Sequence, residues 1–222
     1  MADIIQIPAP NIKTVEIEVK SSTPLMFHKW SEKAKAQIRD KQQKKVKAGR
    51  PVREPEVEYH NSFYYTKDGY VSFPALAIKQ AIVGAARSID GLQMTVIRGN
   101  IFVVGDEDGL VPVLVDGKPI KPSKKLETAS GSQGENVYAI DKENPNILMM
   151  EHMVRVARGG ADLRYRGMVK NWTMKLLIRF NADMFSAEQV VNLIQTAGFS
   201  QGLGEWRPER NGDWGCFEVV QG

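Results

Sequence analysis

The sequence predicts an α+β fold, a β-α-β-β-α-β core carrying two large insertions, and three observations predict it. Strict alternation of apolar and polar residues over Thr14–Lys20, and again over Trp172–Phe180, marks two half-buried strands. Two amphipathic stretches, one opened by Pro74 and one by Ser186 with Gln189, mark two helices. Two long segments that fit neither period, 21–60 and 118–147, stand between these elements as insertions in a single domain spanning 1–222. With 222 residues, 42% of them hydrophobic and 25% charged, the chain has the apolar content to bury such a core.

In Thr14–Lys20, Val15, Ile17 and Val19 take one face and the polar residues the other. Ser31–Ala48 is rich in Lys, Gln and Ala with Ser31 as N-cap, which predicts a helix. It has no continuous apolar stripe, so it projects into solvent or lies on a charged partner. Residues 49–58 read as an extended linker. NSFYYT and VSF read as strands joined by the turn DGY, with core packing expected for Phe63, Tyr64 and Tyr65. The helix from Pro74 carries Ile78, Ile82, Ala85, Ala86 and Ile89 on one face and stops at Asp90-Gly91, with Lys79 and Arg87 on other faces. Met94–Val104 and Leu110–Val115 read as strands joined by GDEDG.

From Pro119 to Asn146 turn-forming residues dominate and only VYAI interrupts them, which predicts a long excursion that touches a partner. Leu148–Arg158 reads as a strand, GGADLRYRGMVK as a glycine-rich basic link, and Trp172–Phe180 as a strand with its even-numbered residues on one face. The helix Ala187–Ala197, with stripe Val190, Val191, Ile194 and Ala197, is expected to end at Gly198. Next comes GLGEWRPERNGDWGCF, where Gly202, Gly204, Gly212 and Gly215 alternate with Trp206, Arg207, Arg210 and Trp214; Cys216–Val220 closes as a strand. This element order is the ferredoxin-like pattern, also used by RNA-recognition modules.

Charge is unevenly placed. Between Lys29 and Arg53 lie ten Lys or Arg against two acids, a surplus of eight on a chain of net charge +4, so the remainder carries −4. A basic arm on a mildly acidic body points to a polyanionic partner. There is no apolar run of about 18 residues and no basic-then-apolar leader, so neither a membrane span nor a signal peptide is expected, and a cytoplasmic address follows. Cys216 is the single cysteine, and with three scattered histidines it makes no zinc pattern; no P-loop or nucleophile elbow appears, and no cofactor is expected.

Two segments carry a family resemblance. FPALAIKQAIVGAAR, Phe73–Arg87, resembles the first-helix motif of the RAMP superfamily, the proteins that form CRISPR effector complexes, and GLGEWRPERNGDWGCFEV is similar to that superfamily's C-terminal glycine-rich loop. The resemblance covers roughly 35 residues and is closest to the backbone subunits that polymerise along a guide RNA. It implies a ferredoxin-like palm with thumb and finger insertions, here 29–53 and 119–146, and self-association into a filament or ring. The texture also resembles small bacteriophage-encoded proteins, which implies a stand-alone relative or contact with other effector or phage proteins.

The expected partner is single-stranded RNA or DNA, bound without strong sequence preference. Phosphate contacts are expected from Lys29, Lys33, Lys41, Lys44 and Lys45, from Lys79, from Arg155, Arg158, Arg164, Arg166 and Lys170, and from Arg207 and Arg210. Trp206, among charged residues, is expected to be exposed and to stack a base; Trp214 is expected to be packed. The loop glycines are expected to let the backbone approach a phosphate. Because some RAMP relatives cut RNA with a histidine, His28 is the candidate general base, although the sequence shows it no partner and the chain is not read as an enzyme. Asp106, Glu107 and Asp108 read as a strand-ending turn rather than a metal site. Two alternatives stay open: a metal-independent endoribonuclease, and an assembly subunit that binds no nucleic acid.

Overall fold

The computed structural model describes residues 8–30, 36, 39–40, 42–43, 53–129, 136–155 and 160–220. The helix expected over 31–48 lies largely outside these residues. Strand β1 is Ile12–Ser21, and a short β2, Leu25–Met26, follows it. From Pro55 onward the expected linker is instead a helix, α1, Pro55–Ser62, while residues 49–52 lie outside the described residues. Pro55 at its start, with Glu56 and Glu58 in the first turn, suits a helix N-terminus, and Tyr59 provides the buried anchor. Tyr64–Tyr65 (β3) and Val71–Pro74 (β4) form the expected hairpin, and α2 is Ala75–Ala85.

The strand expected over Met94–Val104 divides into a helix, α3, Met94–Asn100, and a strand, β5, Ile101–Val104. The β-branched run Thr95–Ile97 favours strand locally, but it is helical and buries Ile97, so tertiary packing overrides propensity. Leu110–Pro112 (β6) and Leu114–Val115 (β7) pair with different sheets, and Lys118–Pro119 is β8. The excursion is not structureless: Leu126–Thr128 (β9) and Val137–Asp141 (β10) pair with each other. Ile147–Arg155 (β11) precedes β12, Ala161–Val169, which occupies the segment expected to be a glycine-rich link. Gly167 admits the Phe63 ring against the strand; a Cβ there would sit 1.9 Å from Phe63 Cζ.

The last elements are β13 (Trp172–Asn181), α4 (Ala187–Ser200) and β14 (Phe217–Val219). Ser186 caps α4 with Gln189 as the sequence indicates. The helix continues through Gly198, whose missing Cβ would lie 2.0 Å from the carbonyl oxygen of Phe217, so this glycine admits a close strand rather than ending the helix.

Three antiparallel sheets result. The largest has the order β14-β1-β13-β7-β8, and β5 shares with β7 the far edge of β13. Its inner residues Ile17, Val19, Met174, Leu176, Ile178 and Phe180 join Ile78 and Ile82 of α2 and Val190 and Ile194 of α4 in one core. Its outer face carries Glu16, Glu18, Lys20, Lys175, Arg179 and Glu218, with opposite signs adjacent, as in the Lys20–Glu218 pair at 3.0 Å. The second sheet, β2-β12-β11-β10-β9, is covered on one face by α1; the third is β3-β4-β6. No helix among the described residues is long and apolar enough to cross a membrane.

Candidate functional site

The chain leaves α4 at Gln201 and enters the glycine-rich loop, which folds back on itself. Leu203 N donates to Gly215 O at 2.9 Å, Trp214 N to Trp206 O at 3.0 Å, and Gly212 N to Arg207 O at 3.1 Å. Two further bonds staple the loop to β2, from Glu205 N to Met26 O (3.0 Å) and from Gly215 N to Pro24 O (2.7 Å). The space left by the glycines is consequently filled by the protein: a Cβ on Gly204 would lie 2.2 Å from Met26 O, and one on Gly212 would lie 1.9 Å from Trp206 O. This corrects the expectation that these glycines make room for a phosphate, since they let the loop pack onto its own backbone.

That packing sets Trp206 apart. Its φ is +57°, a left-handed conformation that costs a bulky residue of order 1 kcal/mol or more. Its ring is 45% exposed and lies 6.5 Å from the His152 ring on β11. Trp214 packs edge-on to the same imidazole at 5.7 Å and joins Met26, Leu148, Met150 and Met168 beneath the loop. His152 is thus buried between two indoles, with its Nδ1 lacking a hydrogen-bond partner. Burial, assisted by the Arg166 charge, pushes its pKa below the ordinary imidazole value.

Glu205 links three segments. His28 Nδ1, just after β2, donates to Glu205 Oε2 at 2.8 Å, and Arg166 of β12 approaches Oε1 at 3.5 Å. The hydrogen bond from His28 is the leading cause that holds the Glu205 carboxyl below its usual range, and Arg166 and Arg207 act in the same direction against the cost of burial. Arg166 is only 3% exposed. It therefore belongs to the interior, supporting Glu205 from below, in contrast to the surface phosphate contact expected of it.

On the other side of the loop an open groove of about 690 Å³ runs between α2 and residues 201–210. Five cations line it, Lys79, Arg87, Arg98, Arg207 and Arg210, against the two carboxylates Glu205 and Glu209, and His28 reaches it as well. Lys79 donates to Arg98 O at 2.9 Å, and its ammonium lies 3.6 Å from the Phe102 ring centroid. Burial and the Arg98 charge lower its pKa. Arg207 is oriented by donating to Gly204 O at 2.8 Å and to Glu209 Oε2 at 2.6 Å.

Among the described residues, the remaining expected contacts do not converge. Lys33, Lys41, Lys44, Lys45 and Arg158 lie outside the described residues. Lys29 is half-buried, 5.7 Å over the Tyr64 ring. Arg155 and Arg164 fall on opposite faces of the β11–β12 hairpin, because Arg164 pairs with His152, an odd number of residues from Arg155. Arg164 lies 3.8 Å from Asp162, which also receives Arg53 at 2.5 Å; Lys170 is exposed beyond β12. Asp106 accepts from the backbone of Asp108 and Leu110 as a turn residue, and among the described residues no group of three or more His, Cys, Asp or Glu is placed to hold a metal ion. Arg98, Glu209 and His152 were not anticipated as site residues. Arg98 was hidden by reading its helix as a strand, and the approach of Arg87 to Glu209 spans a sequence separation that no local pattern reveals. No protein-family model matches the chain, and comparison with curated proteins returns none similar to it.

Proposed function

We propose that this protein binds single-stranded RNA or DNA through its phosphate backbone, largely without regard to sequence, and that copies assemble along the strand. The observation that carries the reading is the groove itself: five cations against two carboxylates, drawn from α2 and the turn after it, from α3 and from the glycine-rich loop. Such a surface favours a polyanion, and the exposed indole of Trp206, on the loop's opposite side, offers a surface for base stacking. The mixed charges of the outer sheet face leave the groove as the better strand path. The ferredoxin-like reading of the core belongs to the same proposal, supported by the antiparallel order β14-β1-β13-β5 with α2 and α4 on one face, as does a RAMP relationship and a cytoplasmic location. The Met153–Leu163 pair across the β11–β12 hairpin, 70% and 44% exposed, offers apolar surface for a neighbouring copy.

The test is fluorescence anisotropy with labelled oligo-dT and oligo-U at increasing salt, alongside electron microscopy of the same mixtures. The expected result is affinity that falls steeply with ionic strength, with a log–log slope of about −0.7 per phosphate neutralised, and strand-dependent filaments or rings. Absence of binding to either oligonucleotide refutes it and favours the assembly subunit. One observation favours the endoribonuclease as second reading: His28 has a carboxylate partner at 2.8 Å that fixes its tautomer, and it opens onto the groove. Cleavage of labelled RNA without added metal, lost in His28→Ala, would establish it.

A further inference from the structure

We propose that Glu209 is a built-in competitor for phosphate, an internal carboxylate seated in a three-arginine site that a phosphate group fits better. The inference rests on the phosphate-binding reading above and concerns one subsite of the same groove.

Arg87 comes from the turn after α2, while Arg207 and Arg210 flank the short helical turn Pro208–Arg210. All three face the Glu209 carboxylate. Arg207 hydrogen-bonds Oε2 from Nε at 3.0 Å and from Nη2 at 2.6 Å. Arg210 Nε stops 3.7 Å from Oε2, and Arg87 Nη1 stops 3.9 Å from Oε1. Two of the three guanidiniums are thus drawn to the carboxylate without closing a hydrogen bond. A flat group with two oxygens satisfies Arg207 alone, whereas a tetrahedral phosphate directs oxygens toward several donors at once.

Charge favours the same occupant. Three cations surround one anion, and the described ion pairs of Arg87 and Arg210 go only to Glu209. The side chains of Arg87 and Arg210 are 58% and 70% exposed, so an incoming anion meets them from solvent. Arg207 remains aimed after displacement, because its bond to Gly204 O does not depend on Glu209. Glu209 itself lies on a surface turn, with its side chain 29% exposed and its backbone held separately through Gln201 O. Its carboxylate can swing away without disturbing the loop. The ligand class is a phosphate group, either free or in a nucleic-acid strand.

The test compares wild type, Glu209→Gln and the double variant Glu209→Gln/Arg87→Gln, titrating each with inorganic phosphate and separately with a 20-mer of oligo-dT and of oligo-U. Thermal unfolding of each protein verifies folding. Glu209→Gln is expected to bind inorganic phosphate about threefold to fivefold more tightly, the scale of one exposed ion pair. The Arg87 change should cancel that gain. With oligonucleotide the salt slope should steepen by about 0.7. A gain with inorganic phosphate and no oligonucleotide binding by any variant supports the competitor and refutes the nucleic-acid reading. Oligonucleotide binding by wild type with phosphate affinity unchanged or weakened in Glu209→Gln overturns the competitor and leaves that reading intact, since Glu209 then only organises the arginines. If Glu209→Gln unfolds, Glu209→Ser serves in its place with the same expected gain and the same overturning result.

Discussion

Replacing Glu205 by Gln removes a charge while keeping the shape of the residue that joins β2, β12 and the glycine-rich loop. Its main effect falls on Arg166, whose side chain is 4% exposed and whose described ion pair goes to Glu205 alone. Breaking a buried ion pair from one side typically costs about 3–5 kcal/mol. Two features reduce that here: Glu205 is 32% exposed, and its approach to Arg166 is 3.5 Å, an ion pair without a short hydrogen bond. The Gln amide oxygen also still accepts from His28 or Arg166. The expected loss is therefore about 2 kcal/mol, equivalent to roughly 4–8 °C in Tm for a domain of this size.

The acid limb of stability carries the second half of this prediction. Glu205 has its folded pKa depressed, so its contribution is fully present above the unfolded value and is lost as pH falls through the folded one. Differential scanning fluorimetry at pH 7, 5 and 3.5 should show the difference between wild type and Glu205→Gln shrinking below about pH 4.5. The double variant Glu205→Gln/Arg166→Met, which removes both charges, should recover at least half the loss. A Tm within 1 °C of wild type at pH 7, or a difference that does not depend on pH, would refute the idea that Glu205 compensates a buried guanidinium.

Three shorter predictions follow from neighbouring features. The folded pKa values of His152 and His60 are both lowered by burial, so the unfolded state binds more protons just below pH 6.5 and stability should fall as pH drops through that value. His152→Phe should remove part of this slope and, by eliminating an unpartnered buried nitrogen, raise stability by about 1 kcal/mol in urea unfolding at pH 7. Gly167→Ala should cost about 1–3 kcal/mol or more in the same assay, because the added methyl meets the Phe63 ring at 1.9 Å. Trp206→Ala should weaken oligonucleotide binding by about 1–3 kcal/mol in anisotropy, while Trp206→Gly should combine the same binding loss with higher stability from relief of the left-handed backbone.

What the sequence revealed and what it concealed follow from the range over which each signal acts. The two long strands and α4's capping box were legible because period-2 alternation and N-caps are written within a few residues. Packing of Phe63 and Trp214 was also legible, from face alternation and from the strand that follows, and exposure of Trp206 from its charged neighbours. Glycine misled in two places. Gly167 and Gly198 look like breaks in a link and a helix, yet each marks a site where another element, the Phe63 ring or the Phe217 backbone, comes too close for a Cβ. Only a three-dimensional neighbour distinguishes that use of glycine from a turn. Arg98 was concealed for the opposite reason, since the β-branched residues before it favour strand while the fold makes them helical.

The glycine-rich loop has two sides with different chemistry, and this explains why its residues cannot be read as one motif. Toward the second sheet it presents Trp214 and Trp206, which flank His152, while Glu205 reaches both Arg166 on that side and the groove on the other. Toward α2 it presents Arg207 and Arg210, which complete a cationic groove begun by Lys79, Arg87 and Arg98. The backbone bonds from Leu203 to Gly215 and from Trp214 to Trp206 hold the two sides in register. A change at the covered side, such as Glu205→Gln, is therefore transmitted to the groove through Arg207, whose guanidinium is held by the Gly204 carbonyl immediately before Glu205. Substitutions at Arg210 or Arg87 act on exposed side chains whose described ion pairs go to Glu209 on the surface turn. Stability and binding should thus change together for residues on the sheet side and separately for residues on the groove side.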